Sequence, residues 1–199
     1  MLVKDIMAAN VPVFKISVSV AAAKQEMMKQ SSRYFAAEDN DRRWKGMVSD
    51  IDIKKAEESE DNFISDIMKT DMITAHPLDS AEELSGVFYQ NNLEYIPIIE
   101  EDRIIGLVTE KEMLHTLVRL TGAHQPSSKL EIKVINKAGQ LAEVAAIIKE
   151  HHINIQSVLV YPCQNDEEKV LVFRLATMNP LPVIQHLNDE GYTVLGPVR

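Results

Sequence analysis

The spacing of apolar residues along the chain changes period several times, and each change marks an element. Ser19 opens a helix-like run that carries Met27 and Met28. Further on, Ala75-His76-Pro77-Leu78-Asp79 breaks an extended stretch, and Ser80 with Glu83 has capping-box spacing, which predicts a helix over 81–91. Tyr95–Ile99 and Arg103–Val108 are β-rich runs parted by acidic residues, the pattern of a hairpin. Thr109 then opens a helix with Met113, Leu114, Leu117 and Val118 at helical spacing. From residue 129 the order is different. Lys129–Ile135 alternates as a strand, Asn136-Lys137-Ala138-Gly139 is a turn, and a helix over 140–151 gathers Leu141, Val144, Ala145 and Ile148 on one face. Strands at 153–160 and 170–176 flank the polar loop 162–168. A helix runs from Asn179-Pro180 to Gly191, and Tyr192–Leu195 closes as a strand. The order βαββαβ is the ferredoxin-like split βαβ arrangement.

The first part of the chain is written twice. Val3-Lys4-Asp5-Ile6-Met7 returns as Ile64-Ser65-Asp66-Ile67-Met68, and Arg33-Tyr34-Phe35-Ala36-Ala37-Glu38 returns as Glu94-Tyr95-Ile96-Pro97-Ile98-Ile99. Gly46-Met47-Val48-Ser49-Asp50-Ile51-Asp52 returns as Gly106-Leu107-Val108-Thr109-Glu110-Lys111-Glu112, after a one-residue slip inside the polar loop 39–45. Each copy reads as an extended segment, a helix, two short strands and a closing helix. Two such units, each with a partly exposed apolar face, should pack on each other.

These readings give a mixed α/β (α+β) protein with repeats over 1–60 and 61–122, a breaker-rich linker over 123–128 and a last domain over 129–199. The repeated Asp-Ile-Met opening, the Tyr-Ile-Pro-Ile-Ile strand and the Gly-x-x-[Ser/Thr]-x-x-acid close resemble a tandem pair of CBS domains over residues 1–120. The resemblance implies a regulatory module whose cleft holds an adenine nucleotide (AMP, ADP or ATP) or S-adenosylmethionine; some members have lost the ligand. It points to Gly46, Ser49 and Asp52 in the first copy and Pro97, Gly106, Thr109 and Glu112 in the second. Ala36 and Glu112 depart from the family's proline and aspartate. The segment Val134–Leu141 with the later Ile153-Asn154-Ile155 resembles an ACT domain, although Asn136 and Ala138 stand where that family has Asp and Pro. The resemblance implies an amino acid or other small effector at Asn136, Gly139, Gln140, Leu141 and Asn154. Two CBS repeats followed by an ACT domain look like acetoin-utilisation (AcuB-like) regulators, which implies a link to carbon metabolism.

Composition narrows the partners. The net charge is −9, and the first 128 residues carry −8 of it, which excludes a general nucleic-acid binder. No apolar run approaches the roughly 18–20 residues of a membrane helix, and the first residues lack a signal-peptide core. The single Cys163 cannot form an internal disulfide. The expectation is a cytoplasmic protein with no membrane or nucleic-acid partner.

The repeated Gly…Ser/Thr-x-x-acid motif has two readings. A small backbone at Gly46 or Gly106 permits close approach of a ligand, a helix start with a hydroxyl attracts an anion, and an acid one turn on can accept both hydroxyls of a ribose. The same spacing is a capping box, which satisfies the helix's own amides without a ligand. An acidic module is a poor host for a polyphosphate unless Arg33, Lys54, Lys55, His76, Lys111 or His115 converge, so a monophosphate or a cationic adenosyl ligand is expected before ATP. At the later turn, Gly139 could equally serve only the tight bend, with Asn136 capping the helix.

Catalytic and metal signatures are missing. Glycine is too sparse for a dinucleotide loop, and no Gly-x-Ser-x-Gly occurs. The histidines form no His-x-x-x-His pair, and Cys163 has no neighbouring base. Met27, Met28, Met7 and Met68 read as gap-fillers of the core, and Trp44 as either a cover for the core edge or an anchor for a partner. The sequence thus predicts a non-catalytic, homodimeric sensor with no required cofactor, acting on its own ACT module or on a regulated enzyme. A ligand-free interaction scaffold is the rival.

Overall fold

The computed structural model describes residues 1–30, 32–56, 62–163 and 165–196, which form two compact units, Met1–Leu114 and His115–Arg199. The expected seam between the repeats, at 60/61, lies outside the described residues. The division between units falls at 114/115, ahead of the 123–128 stretch expected as a linker.

In the first unit, β1 (Val13–Lys15), α1 (Val20–Lys29), β2 (Tyr34–Glu38), β3 (Trp44–Ser49) and α2 (Asp50–Lys55) come from the first repeat. The second repeat supplies α3 (Ile64–Ile67), α4 (Ala81–Asn91), β4 (Tyr95–Glu100), β5 (Arg103–Thr109) and the start of α5 (Glu110–Thr121). Ser19 caps α1 by accepting the Ala22 N–H at 3.3 Å, and Ser80 caps α4 by accepting the Glu83 N–H at 3.3 Å. Asn92 ends α4 in the left-handed conformation, as helix C-termini favour. Strand β1 runs parallel to β2, which pairs antiparallel with β3; a parallel bridge from Ala75 to Ile98 takes β1's place beside the β4–β5 hairpin. Both hairpins slip register at the same repeat position, between Ala37 and Glu38 and between Ile98 and Ile99. The β4–β5 turn places Glu101 and Asp102 at φ of 48° and 61°, the two-residue geometry that matches strand twist.

The repeats exchange their opening segments. Val3 is fully buried among Ala75, Leu84, Phe88, Ile96, Ile98 and Val108 of the second repeat, while Ile64 is buried among Phe14, Val20, Phe35, Val48 and Ile53 of the first. Backbone bonds hold each segment: Ala8 bridges Leu107, and Lys69 bridges Met47. A third cluster, Ala36, Met47, Tyr95 and Leu107, closes the middle of the seam, with Trp44 packed on its edge. Trp44 thus covers the core, and its indole N–H is buried with no partner among the described residues. Met27 lies against the core, but Met28, one step of about 100° around the helix, is 82% exposed and fills no gap.

In the second unit β6 (Ser128–Ile135), α6 (Gln140–Glu150), β7 (Ile155–Pro162), β8 (Glu168–Leu175), α7 (Leu181–Asp189) and β9 (Thr193–Gly196) follow the expected βαββαβ order. The antiparallel sheet reads β7-β8-β6-β9, the strand order of a ferredoxin-like fold. Leu130, Ile132 and Val134 alternate inward and meet Leu171, Phe173 and Leu175, under Val144 and Ile148 of α6 and Val183 and Leu187 of α7. Strand β7 begins two residues later than its apolar run suggested, because His152 at φ 54° turns the chain and Ile153 drops into the core instead.

Candidate functional site

Ser49 ends β3 and begins α2, and its side chain is almost fully buried. Its N–H and its hydroxyl both donate to Asp52 Oδ2, at 2.8 and 2.5 Å, while Ser49 Oγ accepts the Asp52 N–H at 3.2 Å. The capping box is therefore complete. The Asp50 N–H goes to the Arg33 carbonyl at 3.0 Å, so this short helix turns its donors inward and leaves little for a phosphate. What remains outward is Asp52 Oδ1, 3.4 Å from the Lys69 ammonium.

Asp52 and Ser49 line a cavity of about 610 Å³ between the repeats. Its walls include Tyr34, Ile51 and Lys55 from the first repeat, and Lys69, Asp71, Met72, Ile73, Leu93, Glu94 and Tyr95 from the second. Tyr34 and Tyr95 hold equivalent places in the two copies and meet with ring centres 4.2 Å apart. The Tyr34 hydroxyl donates to Glu94 Oε2 at 2.8 Å, and the Arg33 guanidinium lies 5.6 Å from the Tyr34 ring centre. Burial, then the Glu94 hydrogen bond, pushes the Tyr34 hydroxyl up to about 12. Burial, then the charge of Asp52, does the same to Tyr95, also to about 12. Both phenols thus stay neutral donors.

The glycines do not open the site. A Cβ on Gly46 would stand 2.4 Å from the Lys69 carbonyl oxygen, and one on Gly106 would stand 2.4 Å from Met7 Sδ. The close approach expected for a ligand is made instead by the exchanged segment of the other repeat. Pro97 lies in β4 with its carbonyl accepting the Ala75 N–H, away from the cavity wall. Thr109 and Glu112 repeat one half of the box, with the Thr109 N–H 3.0 Å from Glu112 Oε2 and its hydroxyl donating to the same oxygen, while Thr109 Oγ1 accepts the Lys111 N–H at 3.2 Å; they do not line this cavity. Of the basic residues considered in the sequence, only Lys55 reaches it. Lys69, Asp71, Tyr34, Glu94 and Tyr95 escaped the sequence reading; the identical place of the two tyrosines in the repeat was the available signal.

The residues expected to bind an effector in the second unit are not gathered in one place. Gly139 stands at φ 98° before α6, and Gln140 donates to Glu143 beside a cavity of about 310 Å³ that also contacts Lys133 and Tyr192. Asn154 lines a different cavity, of about 370 Å³, and Leu141 is exposed. Asn136 does not cap α6: its side chain donates to the Asp166 carbonyl at 2.8 Å and fastens the turn to the loop between β7 and β8. Among the histidines, His151 Nε2 and His186 Nδ1 sit 3.1 Å apart, a pairing the sequence hid because it joins two helices. No group of three or more potential metal ligands occurs among the described residues. None of their helices is long and apolar enough to cross a membrane.

Residues 64–119 match the model of the CBS domain family. The first unit shares its fold with solved CBS pairs. The CBS domain pair of protein MJ0100, in complex with 5′-methylthioadenosine and S-adenosyl-L-methionine, is 23% identical with a TM-score of 0.53 over 59% of this chain and 99% of that one. CBSX2 in complex with AMP is 18% identical with a TM-score of 0.52, over 59% and 96% of the two chains. A Vibrio cholerae protein assigned to acetoin utilization (AcuB) is 20% identical with a TM-score of 0.55, over 63% and 98%. Among curated relatives, a homoserine O-acetyltransferase of Methanohalobium evestigatum is 25% identical over 112 residues, 56% of this chain. The chain spans 23% of the length of that relative.

Proposed function

We propose that this protein is a non-catalytic regulator that senses an adenosyl ligand in the cavity between its repeats. One observation carries the reading: a carboxylate oxygen of Asp52, held in orientation by Ser49, faces a cavity between the repeats that is large enough for a nucleoside and lined by apolar side chains, two neutral phenols and further charged groups. CBS pairs of the same fold carry S-adenosyl-L-methionine, 5′-methylthioadenosine or AMP, which supports the ligand class. In this reading the ribose hydroxyls donate to Asp52 Oδ1 and displace Lys69, while Ile51, Met72, Ile73 and Leu93 offer the apolar side of the wall to the base. Lys69 is joined through its backbone to Met47 and belongs to the exchanged segment, so its displacement pulls on the packing between repeats. A ligand with different affinity for the two arrangements of that segment shifts their populations; equal affinity shifts nothing.

The second unit is read as an ACT-type module whose effector sits at the turn before α6, supported by its strand order and by the cavity beside Gln140. Homodimerisation, a regulated enzyme and a place in carbon metabolism complete the proposal. The likeness to the Vibrio cholerae protein supports the last.

The test is a melting-temperature panel with AMP, ADP, ATP, S-adenosylmethionine, 5′-methylthioadenosine and amino acids. A ligand at a hundred times its dissociation constant adds about 2.7 kcal/mol. Asp52→Ala should abolish the adenosyl shift, and Asp52→Asn, which keeps an acceptor for the Ser49 box, should weaken it while restoring basal stability. No shift by any adenosyl compound at millimolar concentration rejects the sensor reading and leaves the interaction scaffold.

A further inference from the structure

Resting on the adenosyl reading, we infer that Glu94 sets the charge preference of the cavity, so that a sulfonium ligand binds ahead of its neutral thioether and a phosphate binds last. Five charged side chains line the wall: Asp52, Asp71, Glu94, Lys55 and Lys69. Lys69 is paired with Asp52 at 3.4 Å, and the other Asp52 oxygen is taken by Ser49, so these two cancel. That leaves one base, Lys55, against two acids on the wall. Among the described residues no base pairs with Glu94; its partner is the neutral Tyr34 hydroxyl at 2.8 Å, which fixes the carboxylate at the seam without neutralising it. At the start of α2 the Ser49, Asp50 and Asp52 amides are bonded within the protein. An anion therefore meets an excess of one acid on the wall, whereas a fixed positive charge meets a carboxylate that no base among the described residues pairs with. The repeat shows how specific this is, because the residue equivalent to Glu94 in the first copy is Arg33, of opposite charge.

Glu94 is solvent-exposed, so its effect is that of a screened pair, about two- to fivefold in affinity. The experiment is calorimetric titration of the full chain with S-adenosylmethionine, 5′-methylthioadenosine and AMP, for the wild type and Glu94→Gln, at low and high salt. The wild type should rank the three in that order. Glu94→Gln should weaken S-adenosylmethionine by about two- to fivefold, leave 5′-methylthioadenosine unchanged, tighten AMP and reduce the salt dependence of the first. Asp71→Asn, on the same wall, should act in the same direction. Binding of all three with affinities that Glu94→Gln leaves unchanged overturns the inference and keeps the adenosyl reading. Failure of the wild type to bind any of them overturns both.

Discussion

A methyl group at position 46 would collide with backbone, whereas one at position 106 would collide with the flexible end of a methionine. That difference gives equivalent glycines unequal costs. Gly46→Ala should destabilise the first unit by about 1–3 kcal/mol, the usual cost of overpacking, and Gly106→Ala by clearly less. Gly86, inside α4 with nothing near its missing Cβ, sets the opposite sign: Gly86→Ala should stabilise by about 0.5–1 kcal/mol. Urea unfolding followed by Trp44 fluorescence measures all three, and equal costs at 46 and 106 would refute the contact argument. The sequence showed both glycines and their repeat, but chain chemistry alone does not say whether a ligand or another segment fills the space above them. The same holds for Ser49 and Asp52. Their spacing announced a capping box, which the structure contains, yet whether one carboxylate oxygen is left to face a cavity depends on Lys69, a residue 17 positions away.

At the scale of elements, short range and long range part company. Helices α4 and α6 were legible because a serine cap or a turn glycine and a one-sided apolar stripe act within a few residues. The exchange of opening segments was not. Asp-Ile-Met is equally apolar against either repeat, and only the shape of the two clusters decides which one receives it. Ile64 lies at the start of the second repeat but is fully buried in the first repeat's core. Ile64→Ala should therefore lower the stability reported by Trp44 by about 2–5 kcal/mol, the range for truncating a buried aliphatic side chain. A loss under about 1 kcal/mol would mean that the segment is not anchored there.

The whole molecule divides into two compact units, and the single tryptophan reports on the first. Phe173, fully buried in the second unit, is the complementary probe. Phe173→Ala should cost that unit about 3–5 kcal/mol. Its transition, followed by circular dichroism in urea, should move to lower denaturant while the Trp44 transition stays in place. An equal shift of both would show that the units unfold as one.

The amino-acid sequence determined, by itself, the duplication, the βαββαβ order and the helix caps, since periodicity, turn residues and side-chain-to-backbone bonds all operate between near neighbours. It also fixed the excess of acid in the first unit. Tertiary structure alone decided that the repeats trade their openings, that the repeated glycines seat protein in place of ligand, and that Tyr34, Tyr95, Glu94 and Lys69 line one cavity with Asp52. Those outcomes depend on which distant surfaces fit together. Local pattern leaves that choice open, because several packings bury the same apolar residues, and only the one with complementary shape and paired polar groups is low in free energy.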